Sequence, residues 1–578
     1  MPLRRASVFL SILLFLIAAD PARPQAPSGP LPGAIPQQQP ALRSTTRLVQ
    51  VSVVVLDKHG NPVTGLKPSD FTLFDDGSRQ DIAFFSSASP APTLEAHLLP
   101  PNVFTNRFDL KGQEPGTVSI VLFDALNTPS EDQSRVRRQV LDFLHNLKPQ
   151  DRVAAYALST QLFVLHDFTQ DSSALVNAVN HFTPKDLAAF DASHPAVFDV
   201  PALADDPMWM RFQERVNQAS AEIADQATLD RAEATSAAIQ AIANHVASIP
   251  GRKNLIWVTG GFPLEIISEI IAPDRTTTLM TLQARLALQA LDRVDMAIYP
   301  VDASGVVTAS NMDPQNGYNR AALNCADCIN EAPGVSPGMF ARQNLRDSER
   351  MLADATGGQA FYGNNDIRDA MNRAFDDGRF SYELGFYPTH GQWNGKFRKL
   401  KIMVDGEGLK LRYRKGYFAA NDDATGEPQI LASLREAALG PIEATNLGMI
   451  VSAKPVQPLS TRELELHIGI DPKQLLLQVS PGYRKGAVDL FCLQRDASGK
   501  TLTVDKQHID LNLGEKQYQY MTKAALVLAR HLLVQPQASE IRVVLRDAGS
   551  GSLGSVSIPA TSFFPLEAAS SARSSKPN

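Results

Sequence analysis

The chain has 578 residues, of which 44% are hydrophobic and 20% are charged, and this balance is typical of globular domains rather than of a disordered or fibrous protein. At about 150 residues per domain, the length predicts three or four folded units. The formal net charge is −6 and no long run of Lys or Arg occurs, so the composition argues against a nucleic-acid partner.

The N-terminus has the pattern of a secretory signal peptide. Two arginines, Arg4 and Arg5, precede an apolar run over 8–19, which is shorter than the roughly 20 residues that a membrane-spanning helix needs. We therefore expect a signal peptide over 1–26, a linker rich in Pro and Gln over 27–45, and a secreted, periplasmic or cell-envelope protein. The alternative is an uncleaved signal anchor, which would be the chain's contact with a membrane.

The first folded segment is predicted to be a small β-module over 46–90. Apolar residues alternate over 48–57, and shorter strand-like runs near 71–77 and 82–85 are separated by turn residues. A Pro-rich connection follows this module.

Residues 115–378 have a different pattern, in which strands alternate with helices. Near-continuous apolar runs, typical of buried parallel strands, occupy 118–123, 254–259 and 296–301. Further strands are expected over 151–158 and 359–362, and helices over 130–147, 172–181, 228–249, 278–293, 343–356 and 366–376. The order predicts a doubly wound, mostly parallel α/β sheet of Rossmann-like type. The segments 183–225 and 303–340 are interpreted as irregular insertions.

Strand patterns return after the α/β region. We expect the strands of 379–420 to complete the N-terminal β-module, with the α/β domain inserted between its halves, because each half is too short for an independent sandwich. A polar linker over 421–430 leads to a mostly strand-like region at 431–568, which predicts a C-terminal β-sandwich. The tail over 569–578 is polar and is predicted to be disordered.

The chain has three cysteines. Cys325 and Cys328 lie close together in a stretch rich in Asn, Pro and Gly, and a local disulfide between them is the favoured interpretation for an exported protein. Free thiols are the alternative, and a metal or redox site is disfavoured because no second pair of ligands is visible. Cys492 lies in a strand pattern and is predicted to be a core residue.

Several motifs between about residues 46 and 420 carry a family resemblance. In chain order they are Leu-Phe-Asp-Ala-Leu-Asn-Thr at 122–128, Pro-Gly-Arg-Lys-Asn-Leu-Ile-Trp at 250–257, Gly-Gly-Phe at 260–262, Ala-Ile-Tyr-Pro-Val-Asp at 297–302, Gly-Phe-Tyr-Pro at 385–388, Lys-Phe-Arg-Lys at 396–399 and Arg-Lys-Gly-Tyr-Phe at 414–418. This region resembles the VWFA-related domain of acidobacterial secreted proteins, a von Willebrand factor A-like domain (vWA). The C-terminal region is not covered by the resemblance.

The resemblance implies a site for Mg²⁺ or Ca²⁺ at the carboxyl end of the sheet. The family motif is Asp-x-Ser-x-Ser, followed by a Thr from a later loop and an Asp after the fourth strand. Candidate ligands are Asp124 and Thr128, which match the motif, Thr235 (or Thr228) as the later Thr, and Asn127 and Asp302, which could compensate for missing ligands. Leu126 and Gly260 stand where the family has a Ser and an Asp, so the site is degenerate and metal binding should be weak. The alternative is that Asp124 and Thr128 cap the following helix.

Catalytic signatures are not evident in the sequence. It lacks Gly-x-Ser-x-Gly, His-Glu-x-x-His and Gly-x-x-x-x-Gly-Lys-Ser/Thr. We therefore expect a non-catalytic binding or adhesion protein that contacts an unknown protein or glycan through the carboxyl edge of its sheet. The alternatives are a structural or assembly component of the cell envelope and, less favoured, a metal-dependent hydrolase that uses Asp124.

Overall fold

A computed structural model describes residues 48–87, 99–111, 118–148, 151–184, 207–261, 289–304, 346, 349, 350, 352–363, 366–389, 393–419 and 427–565. The predicted signal peptide, the 27–45 linker, the Cys325–Cys328 pair and the 569–578 tail lie outside these residues. Within the described part of the chain, no helix combines the length and the hydrophobicity needed to cross a bilayer.

The strands, in chain order, are β1 (Val49–Leu56), β2 (Phe71–Asp75), β3 (Ser78–Gln80), β4 (Ile82–Ser87), β5 (Val103–Thr105), β6 (Val118–Asp124), β7 (Val153–Leu158), β8 (Leu162–Thr169), β9 (Lys253–Thr259), β10 (Met296–Asp302), β11 (Ser381–Phe386), β12 (Phe397–Val404), β13 (Lys410–Arg412), β14 (Gly416–Phe418), β15 (Met449–Pro455), β16 (Glu463–Ile470), β17 (Gln478–Ser480), β18 (Tyr483–Arg495), β19 (Thr501–Gly514), β20 (Leu526–Leu533), β21 (Glu540–Asp547) and β22 (Leu553–Pro559). The α-helices are α1 (Ser130–His145), α2 (Ser172–His181), α3 (Pro207–His245), α4 (Ile367–Arg379), α5 (Glu427–Leu439) and α6 (Glu515–Ala524).

The central sheet has five strands in the order β10-β9-β6-β7-β8. The first four are parallel, and β8 is antiparallel at one edge. Every residue of β6, β9 and β10 is buried because helices cover both faces. Apolar residues of α1, α2 and α4 share one core with the sheet, and those of α3 share another. The fold is therefore mixed α/β here, as the alternating pattern predicts.

A flanking β-module combines strands from both sides of the central sheet in sequence. Its two antiparallel sheets have the orders β13-β1-β11-β4 and β14-β12-β2-β3. In the first sheet, β1 pairs with β11 from Val49 opposite Phe386 to Val54 opposite Ser381. Both sheets contribute to one hydrophobic core, which includes Val51 and Leu400.

The C-terminal module is mostly β, as the sequence predicts. One of its sheets has the order β20-β16-β15-β5, and the other contains β17, β18, β19, β21 and β22. Both contribute to one core. Two helices were not predicted: α6, and α5, which overlaps the expected 421–430 linker and the start of the expected sandwich. The helix α5 forms because Leu434, Ala437 and Ala438 pack with Leu493 and Val544 of the neighbouring sheet.

A second correction concerns the segment 183–225. Its part from Pro207 onward is not irregular but is the first half of α3, a helix of 39 residues that begins well before the predicted start at Thr228. The buried residues of α3 begin only at Ala224. The first half therefore carries no clear apolar stripe, and a sequence pattern that depends on burial does not reveal it.

Candidate functional site

The candidate site lies where β6, β9 and β10 end at the carboxyl edge of the central sheet. Asp124, Thr259 and Asp302 are the last residues of these strands. In open α/β sheets ligands bind in the crevice outside this edge, at the point where the strand order reverses.

Asp124 is fully buried and its carboxylate accepts four hydrogen bonds from the protein. Its Oδ1 accepts the backbone N–H of Asn127 at 2.9 Å. Its Oδ2 accepts three donors at 2.9 Å each: Asn127 Nδ2, Trp257 Nε1 and Thr259 Oγ1. Burial raises the pKa of Asp124 above its ordinary value, and the hydrogen bonds oppose this shift. Each carboxylate oxygen has two lone pairs, so Oδ2 with three donors is fully engaged, while Oδ1 has one donor.

Asn127 links Asp124 to helix α3. Besides its bond to Asp124, Nδ2 donates to Thr235 Oγ1 at 2.9 Å. Its Oδ1 accepts Arg231 Nε at 3.1 Å and Arg231 Nη2 at 2.9 Å. The Thr235 hydroxyl in turn donates to the Arg231 carbonyl. Both ends of the Asn127 amide are therefore engaged.

Arg231 brings a positive charge to this network, and sequence reasoning missed it. Its side chain is buried, and burial lowers the pKa of its guanidinium while Asp124 raises it. A guanidinium stays protonated in proteins, so Arg231 remains a cation. The available signal was its position four residues before Thr235, which places both side chains on one face of α3. Thr228, the other candidate Thr, donates to the Ala224 carbonyl within the helix instead.

Thr128, in the loop after β6, contacts Gly260, which follows β9. The Thr128 hydroxyl accepts the backbone N–H of Gly260 at 3.0 Å. A Cβ at Gly260 would lie 2.7 Å from the Asn127 carbonyl oxygen and 2.9 Å from Pro129 Cδ. Gly260, where the resemblance predicts an Asp, therefore has no room for a side chain. Neither Asp124 nor Thr128 caps α1, whose N-cap is Pro129 without a side-chain cap.

Asp302 belongs to a separate polar cluster. Its Oδ1 accepts the Ser304 N–H at 2.8 Å, and its Oδ2 lies 3.3 Å from Arg346 Nη2. Glu349 is buried nearby, and burial together with the charge of Asp302 raises its pKa to about 8. Asp302 is thus engaged by Arg346 and Ser304, whereas Asp124, Asn127, Thr128 and Thr235 lie together.

The donor set at Asp124 does not fit Mg²⁺ or Ca²⁺. A hard cation needs oxygen lone pairs directed at it, and those of Asp124 Oδ2 are taken by three donors, while Oδ1 is buried and accepts the Asn127 N–H. Leu126 is buried in the hydrophobic core, and Gly260 supplies no ligand. Across the described residues, no group of three or more His, Cys, Asp or Glu side chains could hold a metal. The described Cys492 is a free, buried thiol, in keeping with its predicted place in the core.

No protein-family model matches the chain, and a search of the curated proteins finds no match. Solved structures with some similarity include an aerotolerance-related membrane protein from Bacteroides fragilis, at 11% identity and a TM-score of 0.23 over 45% of this chain and 98% of that one. The hypothetical protein BatB from Bacteroides thetaiotaomicron gives 12% identity and the same score and coverage. The pilus adhesin SpaC from Lactobacillus rhamnosus gives 10% identity and a TM-score of 0.23 over 78% and 54%. At these scores the similarity assigns neither a family nor a function.

Proposed function

We propose that the protein is an exported, non-catalytic binding protein, built around a doubly wound vWA-type domain whose recognition edge works without a metal ion. The parallel strands with one antiparallel edge strand, the helices on both faces and the Asp at the end of β6 support the domain type. The signal-peptide pattern at the N-terminus supports export.

The observation that carries the proposal is the network of Asp124, Asn127, Thr235 and Arg231. The Asn127 amide binds Asp124 and Thr235, which stand where a vWA domain has metal ligands, and the Arg231 guanidinium binds Asn127. Asn127 donates to both Asp124 and Thr235, and the Arg231 charge lies behind it. The edge is thus held in one arrangement by the protein's own side chains, which suits recognition of a protein or glycan surface.

The same network counts against a metal-dependent hydrolase at Asp124. A catalytic metal needs ligands with accessible lone pairs and an open coordination position for water or substrate. The hydrogen bonds to Asp124 reduce the lone pairs that a metal could use, and its complete burial leaves no open position for water or substrate.

The test is affinity capture of a partner from envelope and culture fractions with the purified full chain. Glu131 is exposed in the first turn of α1, next to the carboxyl edge, and Asp142 is exposed near the other end of the same helix. We expect Glu131→Arg to reduce capture about fivefold or more because it reverses a charge at the contact, whereas Asp142→Arg, the matched control, retains it. Capture by the unmodified chain should be equal in EDTA and in Mg²⁺. Loss of capture in EDTA, or equal effects of the two substitutions, would contradict the proposal.

A further inference from the structure

One end of the C-terminal module carries a cluster of aromatic and basic side chains that is separate from the candidate site. This basic tip consists of the β17–β18 hairpin, over 478–486, and α6. Residues 478–480 pair with 483–485 across the hairpin turn. The helix is held against the hairpin by the N–H of Glu515, which donates to the Gly482 carbonyl at 3.3 Å.

Arg484 fixes the orientation of α6 on the hairpin. Its Nε lies 3.3 Å from Glu515 Oε2, and its guanidinium stacks over the Tyr518 ring at 4.1 Å from the ring centroid. Because both contacts anchor the helix, they determine which of its faces points away from the hairpin.

The outer face of α6 carries two lysines with a tyrosine between them. Lys516, Tyr520 and Lys523 are spaced four and three residues apart, so they lie on one side of the helix, and all three are exposed. Tyr520 is 70% exposed, and the two lysines are separated by about 10 Å along the helix axis. Met521, in contrast, packs against the core of the module.

The hairpin adds further groups of the same kind. Tyr483 and Val479 are 47% and 69% exposed. The ammonium of Lys485 lies 5.8 Å from the centre of the Tyr483 ring. The basic tip has four cationic side chains and one carboxylate, Glu515, which pairs with Arg484. Its net charge is therefore positive, although the whole chain has a net charge of −6. Exposed tyrosines beside three lysines therefore form a surface with an excess of positive charge, which suits an anionic ligand with faces on which the rings can pack.

We infer that the basic tip binds an acidic polysaccharide, that is, a sugar chain with carboxylate groups. The lysines would pair with the carboxylates, while the tyrosine rings pack on the C–H faces of the sugars and their hydroxyls exchange hydrogen bonds with sugar hydroxyls. This inference does not depend on the function proposed for the central sheet.

The geometry favours this ligand over a membrane or a nucleic acid. An interfacial membrane helix needs an exposed apolar face with Trp, Phe or Leu, but α6 exposes lysines, Tyr520 and Gln519. A nucleic acid presents a charge at every phosphate, and its binding normally uses a longer run of cations than four. A sugar chain with spaced carboxylates suits the interleaved Lys and Tyr residues.

The test measures binding of the full chain to immobilised polygalacturonate, with neutral dextran as the comparison. We expect binding that weakens with added NaCl, and we expect Lys516→Glu/Lys523→Glu to weaken it by about tenfold or more because two attractions become repulsions. Tyr520→Ala should also weaken it, with no change in the salt dependence, because it removes ring packing and no charge. All three positions are exposed, so folding is not at risk.

The matched control is Lys500→Glu/Lys506→Glu, which makes the same charge change at two exposed positions away from the tip. Retention of binding by this variant supports the tip as the site. The inference is overturned if both double variants lose binding equally, if dextran binds as well as polygalacturonate, or if anionic vesicles or single-stranded DNA bind more tightly than the polysaccharide.

Discussion

Asn127 determines the chemistry of the carboxyl edge more than any other residue. As an amide it has both donors and an acceptor, so it can satisfy the anion of Asp124 and the cation of Arg231 at the same time. An aspartate, which as an anion only accepts, could not do both. The Asp124 and Arg231 charges therefore balance each other in this buried site, with the Asn127 amide between them.

Gly260 is the second determinant, because it allows the β9 end to approach the loop after β6. We expect Gly260→Ala to lower the free energy of unfolding by roughly 1–3 kcal/mol, since the new Cβ would meet the Asn127 carbonyl and Pro129 at under 3.0 Å. The loop cannot easily yield, because Gln133 donates to the carbonyls of Ala125 and Thr128. Urea unfolding followed by circular dichroism measures the effect.

The control for this substitution is Gly469→Ala in β16. A Cβ there would have its nearest neighbour at 3.6 Å, so no comparable loss is expected. Equal stability losses at the two glycines would mean that the approach of Gly260 to the loop is not tight. An increase of stability with Mg²⁺ in a Gly260→Asp variant would contradict the steric account of the missing carboxylate.

At the scale of elements, the C-terminal end of α3 is bound to the module that follows it. His245 Nδ1 lies 2.7 Å from the Glu443 carbonyl oxygen, and Nε2 lies 3.2 Å from Asp167 Oδ1, which also accepts the Tyr156 hydroxyl. Two acceptors for two ring nitrogens favour the doubly protonated imidazolium, and the helix C-terminus favours the same charge. Glu443 also pairs with Lys111.

This arrangement predicts a pH-dependent contribution to stability. Burial alone would lower the pKa of His245, but the Asp167 charge and hydrogen bonds together raise it above its ordinary value. A raised folded-state pKa gives stability that is complete below the unfolded pKa of about 6.5 and is lost as pH rises through the folded pKa. We therefore expect the unfolding free energy of the unmodified chain, relative to His245→Gln, to fall as pH increases above about 6.5.

Urea unfolding at several pH values between about 5.5 and 8.5 tests this expectation. His531→Gln serves as the control, because that imidazole is exposed and makes one contact with Glu463 in the C-terminal module. A stability difference between the unmodified chain and His245→Gln that stays constant across this range would show that folding does not shift the pKa of His245, and a difference that grows with pH would show that His245 is neutral in the folded protein.

The elements that could be predicted from the sequence are those with a strong burial pattern. The apolar runs of β6, β9 and β10 identify buried parallel strands because helices cover both faces. The first half of α3 could not be predicted in this way because it buries almost no residues, and the helix α5 could not because its apolar residues pack on strands far away in sequence. At the site, the resemblance made Asp124, Thr128 and Thr235 candidates and Asn127 a possible replacement for a missing ligand, but the sequence did not show that they lie together. Arg231 was missed because a charged residue on a helix is usually solvated.

At the scale of the whole molecule, one strand of the C-terminal module, β5, precedes the central sheet in sequence. The short strand β5 lies in the expected Pro-rich connection, yet it pairs with β15, where Val451 is opposite Phe104. A strand of three residues gives almost no sequence signal, and its partner follows more than 300 residues later. The C-terminal module is therefore complete only with a segment from the other side of the α/β domain.

Asn106 fixes this long-range connection, and its replacement is the clearest test of it. The buried side chain donates from Nδ2 to the carbonyls of Ala444 and Leu447, at 2.6 and 2.9 Å, and accepts the Met449 N–H at 2.7 Å. Asn106→Ala would remove three hydrogen bonds to backbone groups, although the Ala444 carbonyl still accepts the Ser555 N–H, so we expect the unfolding free energy to fall by about 2 kcal/mol or more.

The loss should also weaken the pairing of β5 with β15, because β5 has three residues and few hydrogen bonds of its own. Urea unfolding and limited proteolysis measure the two effects, with early cleavage expected in residues 99–111 or 440–448. Asn146→Ala is the control, since that exposed amide makes a single bond to the Asp142 carbonyl and its loss should cost under about 1 kcal/mol. Equal stability losses for the two variants, or proteolysis of Asn106→Ala that follows the unmodified pattern, would show that the connection does not depend on Asn106.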